Sequence, residues 1–333
     1  MRAIFLCKRE KEAQRVYAPD VKARFRALVT LDEKIYTKED VLAAPAAFAD
    51  VEFILSTWGM PHFTEEEIAA CFPRLKCVFY AAGTVQSFAR PFLARGVKVF
   101  SAWAANAVPV AEYTVAQILL AGKGFFAQTR LLQAQRLDDA KARKGETRGN
   151  YGARVGLIGC GMIGSMVAER LKNYRLEVVA FDPFLTAERA AALGVKRVSL
   201  EELFSTAQVV SNHLANNEQT KGMLNGELFE KLVPFATFLN TGRGAQVVEE
   251  DLVQVLRARP DLTAVLDVTY PEPPEADHPF YTLSNCFLTP HIAGSLGDEV
   301  VRMAEYMAAE LAAYLAGEPT KYEVSEKMLE TMA

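Results

Sequence analysis

Residues 154–171, RVGLIGCGMIGSMVAERL, run a short apolar strand into three spaced glycines and on into a helix-like stretch. Gly159, Gly161 and Gly164 form G-x-G-x-x-G directly after that strand. The first glycine permits a tight turn, the second lets backbone approach a pyrophosphate, and the third lets helix and strand pack closely. The helix start, at Met162 and Ile163, offers unpaired N–H groups and a positive dipole end to phosphates. A second strand, EVVAFD, ends in Asp182, near the spacing of about 20 residues at which an acid meets the adenosine ribose hydroxyls. Pro183 and Phe184 follow, with no arginine to hold a 2′-phosphate, which favours NAD over NADP. The alternative is a glycine-rich turn beside a surface aspartate, and the strand–turn–helix–strand context argues against it. The stretch reads as dinucleotide-binding.

The remaining chain supplies a frame for such a site. Apolar runs AIFLC (3–7), VEFILS (51–56), CVFYAA (77–82) and VKVFSA (97–102) occupy the first third. Between them TEEEIAACF opens with Thr64 and Glu67, a helix-capping pair. Continuous apolar runs are what buried parallel strands look like when helices cover both faces. From 109, PVAEYTVAQILLAGKGFF predicts an apolar helix with proline at its start. The basic stretch 138–150 reads as a solvated connection. Six further runs, RVGLIG, EVVAFD, QVVSNH, ATFLNT, TAVLDV and CFLTP, suit a doubly wound α/β sheet. A last helix is expected over 296–317.

Composition narrows the partners. A chain of 333 residues has room for two domains. With a formal charge of −4, and no aromatics interleaved in the one basic run, nucleic acid and membrane surfaces are poor partners. The cysteines, Cys7, Cys71, Cys77, Cys160 and Cys286, form no CxxC or Cys/His cluster, so no metal site is expected. The N-terminal MRAIFLCKRE is too short for a signal peptide, and no run reaches the roughly 20 apolar residues of a membrane span. The expectation is a soluble cytoplasmic protein.

Ligands on open α/β sheets bind beyond the carboxyl ends of the strands. There the sequence places His213, Arg243, Asp267, Glu272 and His291. Reduction of a ketone by hydride at neutral pH needs a proton donor for the developing alkoxide, a task suited to histidine; His291 is the candidate. Glu272 would stabilise its imidazolium form. Arg243 offers a fixed, planar, charged fork for a substrate carboxylate and the adjacent carbonyl. Taken singly, each has a plain alternative: a structural hydrogen-bonder, a surface acid in a proline loop, a turn cap.

VGLIGCGMIG, NTGRGAQVVEE, AVLDVTYPEPP and LTPHIAG, in this order, resemble the D-isomer-specific 2-hydroxyacid dehydrogenase family. The resemblance covers most of the chain and is strongest over 154–295. It implies a Rossmann-type NAD-binding domain over 103–291. A smaller flavodoxin-like α/β substrate domain would comprise 1–102 and 292–333. It implies the Arg243, Glu272 and His291 set, and a cofactor lined by His213, Leu214, Ala215, Asn217, Thr220, Thr241, Gly242 and Asp267, with Asp267 facing the nicotinamide amide. VPVAEYTVAQILL is similar to a family segment that takes part in dimer contacts, so a homodimer is expected.

Two stretches depart from the family pattern. YAAGTVQSF keeps only Gly83 of a glycine pair followed by Asp-Asn, leaving backbone N–H groups around Ala82, Gly83 and Thr84 as carboxylate ligands. LANNEQT replaces a Leu-Pro-x-Thr loop. Trp58, Met60 and His62 follow a strand of the substrate domain; they could wall a substrate cleft or serve as loop packing. The resemblance implies hydride exchange between NAD(H) and a 2-oxo or (R)-2-hydroxy acid in a cleft that closes. A non-catalytic NAD(H)-sensing or corepressor-like protein is the alternative on the same scaffold. A Rossmann methyltransferase would have no use for the Arg/Glu/His set, and the resembling formate enzymes pair their histidine with glutamine rather than glutamate.

Overall fold

The computed structural model describes residues 1–330. The chain divides into two compact units, Met1–Ala107 with Ser295–Ala333, and Val108–Gly294. Both breaks fall a few residues later in the chain than the limits of 102 and 291 read from sequence, and the helix Trp103–Gly122 runs across the first of them.

In the first unit, strands β1 (Arg2–Leu6), β2 (Thr30–Tyr36), β3 (Val51–Ser56), β4 (Cys77–Tyr80) and β5 (Lys98–Ser101) form a parallel sheet ordered 5-4-3-1-2, the flavodoxin order. A short strand, Glu323–Val324, pairs antiparallel with β5. Alternate residues feed two cores. Ile4, Ile54 and Val78 join one cluster, while Phe5, Phe53, Phe79 and the helix Val301–Ala316 build the other. The Thr64/Glu67 capping box is present at the helix Glu65–Cys71.

In the second unit, β6 (Arg154–Ile158), β7 (Glu177–Phe181), β8 (Lys196–Arg197), β9 (Val209–Asn212), β10 (Thr237–Asn240), β11 (Thr263–Leu266) and β12 (Cys286–Leu288) form one parallel sheet. Its order, 12-11-10-9-6-7-8, is the doubly wound Rossmann arrangement with one strand added at the end. Ile158, Val210 and Phe238 point to one core, Leu157, Val209 and Leu239 to the other.

Two strands lie outside the expected runs, and two expectations are corrected. β2 is a mostly polar edge strand, TLDEKIY, that apolar patterning cannot find, and β8 has only two residues. Pro109 lies inside its helix rather than at the start, since burial of Ala104, Ala105 and Ala107 carries the helix back to Trp103. The basic stretch forms the helix Leu137–Glu146, with no buried residue but with the Arg143 guanidinium stacked 3.9 Å from the Phe235 ring. Among the described residues no helix is long and apolar enough to cross a membrane.

Candidate active site

The glycine turn sits at the carboxyl end of β6. Gly159 has φ +88°, and a Cβ there would meet the His213 carbonyl oxygen at 2.8 Å. A Cβ on Gly164 would fall 2.0 Å from the Gly159 carbonyl oxygen, so helix and loop can approach this closely only with glycine. At Gly161 a Cβ would meet nothing within 4 Å. The protein's own packing demands the outer two glycines and not the middle one. Gly161 instead leaves a cradle at the N-terminus of the helix Met162–Leu171, where an anion is favoured. Met162 is exposed there, and Ile163 turns into the core.

Asp182, just beyond β7, is pinned to this turn. One carboxylate oxygen accepts from the Cys160 N–H at 2.7 Å and the other from the Phe184 N–H at 2.7 Å. No arginine follows Asp182 directly, but one reaches the same turn from further along the chain. The helix Ala187–Leu193 returns Arg189 to the same turn, where it donates to the Cys160 carbonyl at 2.7 Å and the Ser165 hydroxyl at 2.9 Å.

His213 is buried behind the glycines. Burial pushes its imidazole down to about 4; Nε2 lies 2.9 Å from the Ser211 hydroxyl and Nδ1 has no partner. Its backbone N–H donates to the Ile158 carbonyl at 2.7 Å, and so it is the main chain that joins β9 to the turn. The altered loop that follows closes as a compact turn. The Thr220 hydroxyl donates to the Ala215 carbonyl at 2.6 Å, and Asn217 Oδ1 accepts from the Thr220 N–H at 3.1 Å.

A buried amide network, which sequence reasoning missed, holds the ends of β9 and β10. Asn212 donates to Asn240 Oδ1 at 3.0 Å and to Gln246 Oε1 at 2.6 Å. Gln246 donates to the carbonyls of Leu214 and Ala215 at 2.8 and 2.9 Å, and accepts from the Arg243 N–H at 3.1 Å. Gly242 donates to Asn240 Oδ1 at 3.1 Å, and the Thr241 hydroxyl lies 3.3 Å from that of Thr114. Three fully buried amides with satisfied partners fix the backbone on which Arg243 stands.

Arg243, Glu272 and His291 come together. His291 Nδ1 lies 2.6 Å from Glu272 Oε1, with both side chains partly open to solvent. The hydrogen bond occupies Nδ1 and leaves Nε2 for another partner. Burial lowers the Arg243 guanidinium from its ordinary range, and the nearby Glu272 carboxylate opposes that shift. The Arg243 turn is pressed against the Glu272 loop. A Cβ on Gly244 would lie 2.0 Å from the Thr269 carbonyl carbon. Peptide bonds 270–271 and 272–273 in that loop are cis.

His291 adopts φ +53°, a left-handed conformation that a non-glycine residue occupies only when its surroundings insist. Asp267 does the insisting. Its carboxylate accepts from the Thr289 hydroxyl at 2.6 Å and from the N–H groups of Ile292 and Ala293 at 2.8 and 2.9 Å. Its carbonyl takes the His291 N–H at 3.0 Å. The structure thus gives Asp267 a structural task that the sequence did not suggest.

In the first unit, Ala82 is buried, Gly83 partly exposed and Thr84 exposed at the end of β4, with the Ser101 hydroxyl donating to the carbonyls of Ala82 and Gly83. Trp58 packs partly buried against both cores of that unit, Met60 lies inside one of them, and His62 is exposed.

Residues 115–293 match the description "D-isomer specific 2-hydroxyacid dehydrogenase, NAD binding domain". The chain belongs to this family. D-3-phosphoglycerate dehydrogenase of Archaeoglobus fulgidus is 31% identical over 71% of the chain and 44% of its own length. Formate dehydrogenase of Neurospora crassa is 32% identical over 80% of the chain and 74% of its own length. The chain spans about half the length of the phosphoglycerate dehydrogenases that it matches. The apo form of Rhodotorula graminis D-mandelate dehydrogenase shares the fold, with a TM-score of 0.82 at 20% identity over 98% of this chain and 97% of that one. NAD is the cofactor of this domain in the family. The open cradle at Gly161 beside a pinned carboxylate fits a dinucleotide.

Proposed function

We propose that this family member is an NAD(H)-dependent dehydrogenase interconverting 2-oxo acids and (R)-2-hydroxy acids. The supporting observation is the 2.6 Å His291–Glu272 pair, which leaves Nε2 free, together with a half-buried Arg243 that feels the Glu272 charge. Residues 159–164, Asp182, the Leu214–Thr220 loop, Thr241 and Gly242 would hold the cofactor. Bound NAD(H) supplies or accepts the hydride.

The chain's residues do the rest. Arg243 binds the substrate carboxylate and polarises the adjacent carbonyl; its partial burial makes that charge stronger than in water. His291 Nε2 gives a proton to the carbonyl oxygen as it becomes an alkoxide, and takes it back in the reverse direction. Glu272 fixes the ring through Nδ1 and stabilises its charged form. Backbone N–H groups at Ala82, Gly83 and Thr84 are proposed as further carboxylate ligands, and Trp58 as a determinant of side-chain size. Exposed Leu120, Phe125, Leu132 and Leu137 favour a homodimer. The test is NADH oxidation with oxo acids of graded side-chain size, formate with NAD, and a neutral ketone. Oxo-acid turnover with the ketone inert supports the reading; equal use of the ketone removes Arg243 from its role. NADH binding without any turnover would favour the sensing alternative.

A further inference from the structure

We propose that Glu249 is a positioning residue, its carboxylate clamping the loop that carries Glu272 to the segment that carries Arg243. The inference rests on the catalytic reading above. The chain leaves Arg243 through a short turn and enters the helix Glu249–Ala258. Of the three acids that open this helix, Glu250 is exposed and Asp251 accepts from the Gly226 N–H at 2.8 Å. Glu249 instead turns inward, its side chain only 10% exposed. One oxygen accepts from the Tyr270 N–H at 2.8 Å; the other lies 3.8 Å from His278 Nε2.

Tyr270 and His278 bracket Glu272. His278 is itself anchored: Nδ1 accepts from the Phe280 N–H at 3.3 Å, and its ring lies 4.5 Å from that of the buried Phe280. A single carboxylate therefore engages the Glu272 loop on both sides of the residue that holds His291. A helix needs no buried acid at its N-terminus, since an exposed one serves the dipole. Burial here pushes the Glu249 carboxyl up to about 7, with the Tyr270 N–H pulling the other way. That is a cost which a solvated acid at the same position would avoid.

The test uses the whole chain, with E249A, E249Q, E272Q and the double variant E249A/E272Q. Misplacing the loop by about 1 Å should lower kcat for oxo-acid reduction up to about 100-fold in E249A. NADH affinity should stay within about twofold. E249Q keeps an oxygen for Tyr270 and should recover to within about fivefold. In the E272Q background, E249A should cost less than about threefold more, because both act through one carboxylate. Hydrogen exchange at the Tyr270 amide should be at least about tenfold faster in E249A. Full activity in E249A, an undiminished loss in the E272Q background, or unchanged exchange at Tyr270 would each overturn the clamp. A wild-type chain that reduces no oxo acid, yet whose Tyr270 exchange responds to E249A, would retain the clamp and lose the proposed reaction.

Discussion

Alanine at Gly164 and alanine at Gly161 should fail in opposite ways. An ordinary Cβ contact begins near 3.4 Å, whereas the Cβ of Gly164→Ala would start 2.0 Å from the Gly159 carbonyl oxygen. The obstacle is backbone, so the helix Met162–Leu171 must back away from β6 by about 1 Å or more, with an overpacking cost of about 1–3 kcal/mol. For a unit of this size that lowers Tm by roughly 3–10 °C without any ligand. Gly161→Ala places its methyl in open space at φ −66°, which alanine adopts, so the apoprotein should melt within about 2 °C of wild type. The methyl instead occupies the cradle, where loss of one charge-assisted hydrogen bond costs about 1.5–3 kcal/mol, or roughly 10- to 150-fold in affinity. Differential scanning fluorimetry of the apoproteins, with NADH titrations followed by fluorescence, separates the two. A Gly161→Ala chain that melts early, or that binds NADH as wild type does, would refute the reasoning.

Three further outcomes follow from the same structure. Gly244→Ala would press a Cβ into the Thr269 backbone at 2.0 Å, so kcat should fall about 100-fold while NADH affinity holds; steady-state rates beside a binding titration check this. His213 is neutral in the fold with its imidazole near 4 against an ordinary 6.5. Its contribution is full above 6.5 and is lost as pH falls toward 4, a ceiling of about 3 kcal/mol that His213→Phe should remove from the acid limb of a Tm-versus-pH curve. Asp182→Ser should lower kcat/KM with NADH at least about tenfold. It should also raise the NADPH/NADH ratio, because Arg189 is held at the same turn; an unchanged ratio would leave Arg189 a purely structural residue.

The glycine turn was legible because its residues carry their reasons locally: strand, positive φ, close helix. The six apolar strands of the second unit were legible for a similar reason, since burial on both faces writes an unbroken apolar run. β2 and β8 were not, being edge strands that carry polar side chains to solvent. Arg243, Glu272 and His291 could be proposed from their places after strands, but nothing local announces the residues that support them. Asn212, Asn240 and Gln246 are ordinary polar residues until two strand ends and the turn after Arg243 bring them into one buried network. Asp267 could be picked as a strand-end acid, yet its grip on the His291 turn depends on the register of β11 against β12. Arg189 was not legible because it does not adjoin Asp182 in sequence, and only the helix Ala187–Leu193 brings it back to the turn.

The proposed reaction turns on the imidazole of His291, held by Glu272, moving the proton that accompanies hydride transfer. The most direct measurement is single-turnover oxidation of bound NADH by a 2-oxo acid in wild type and His291→Gln, with NADH affinity measured on the same samples. The rate should be about 100- to 10,000-fold lower in the variant, with NADH affinity within about twofold. An equal rate in both, or a loss that vanishes once NADH binding is made equal, would contradict it.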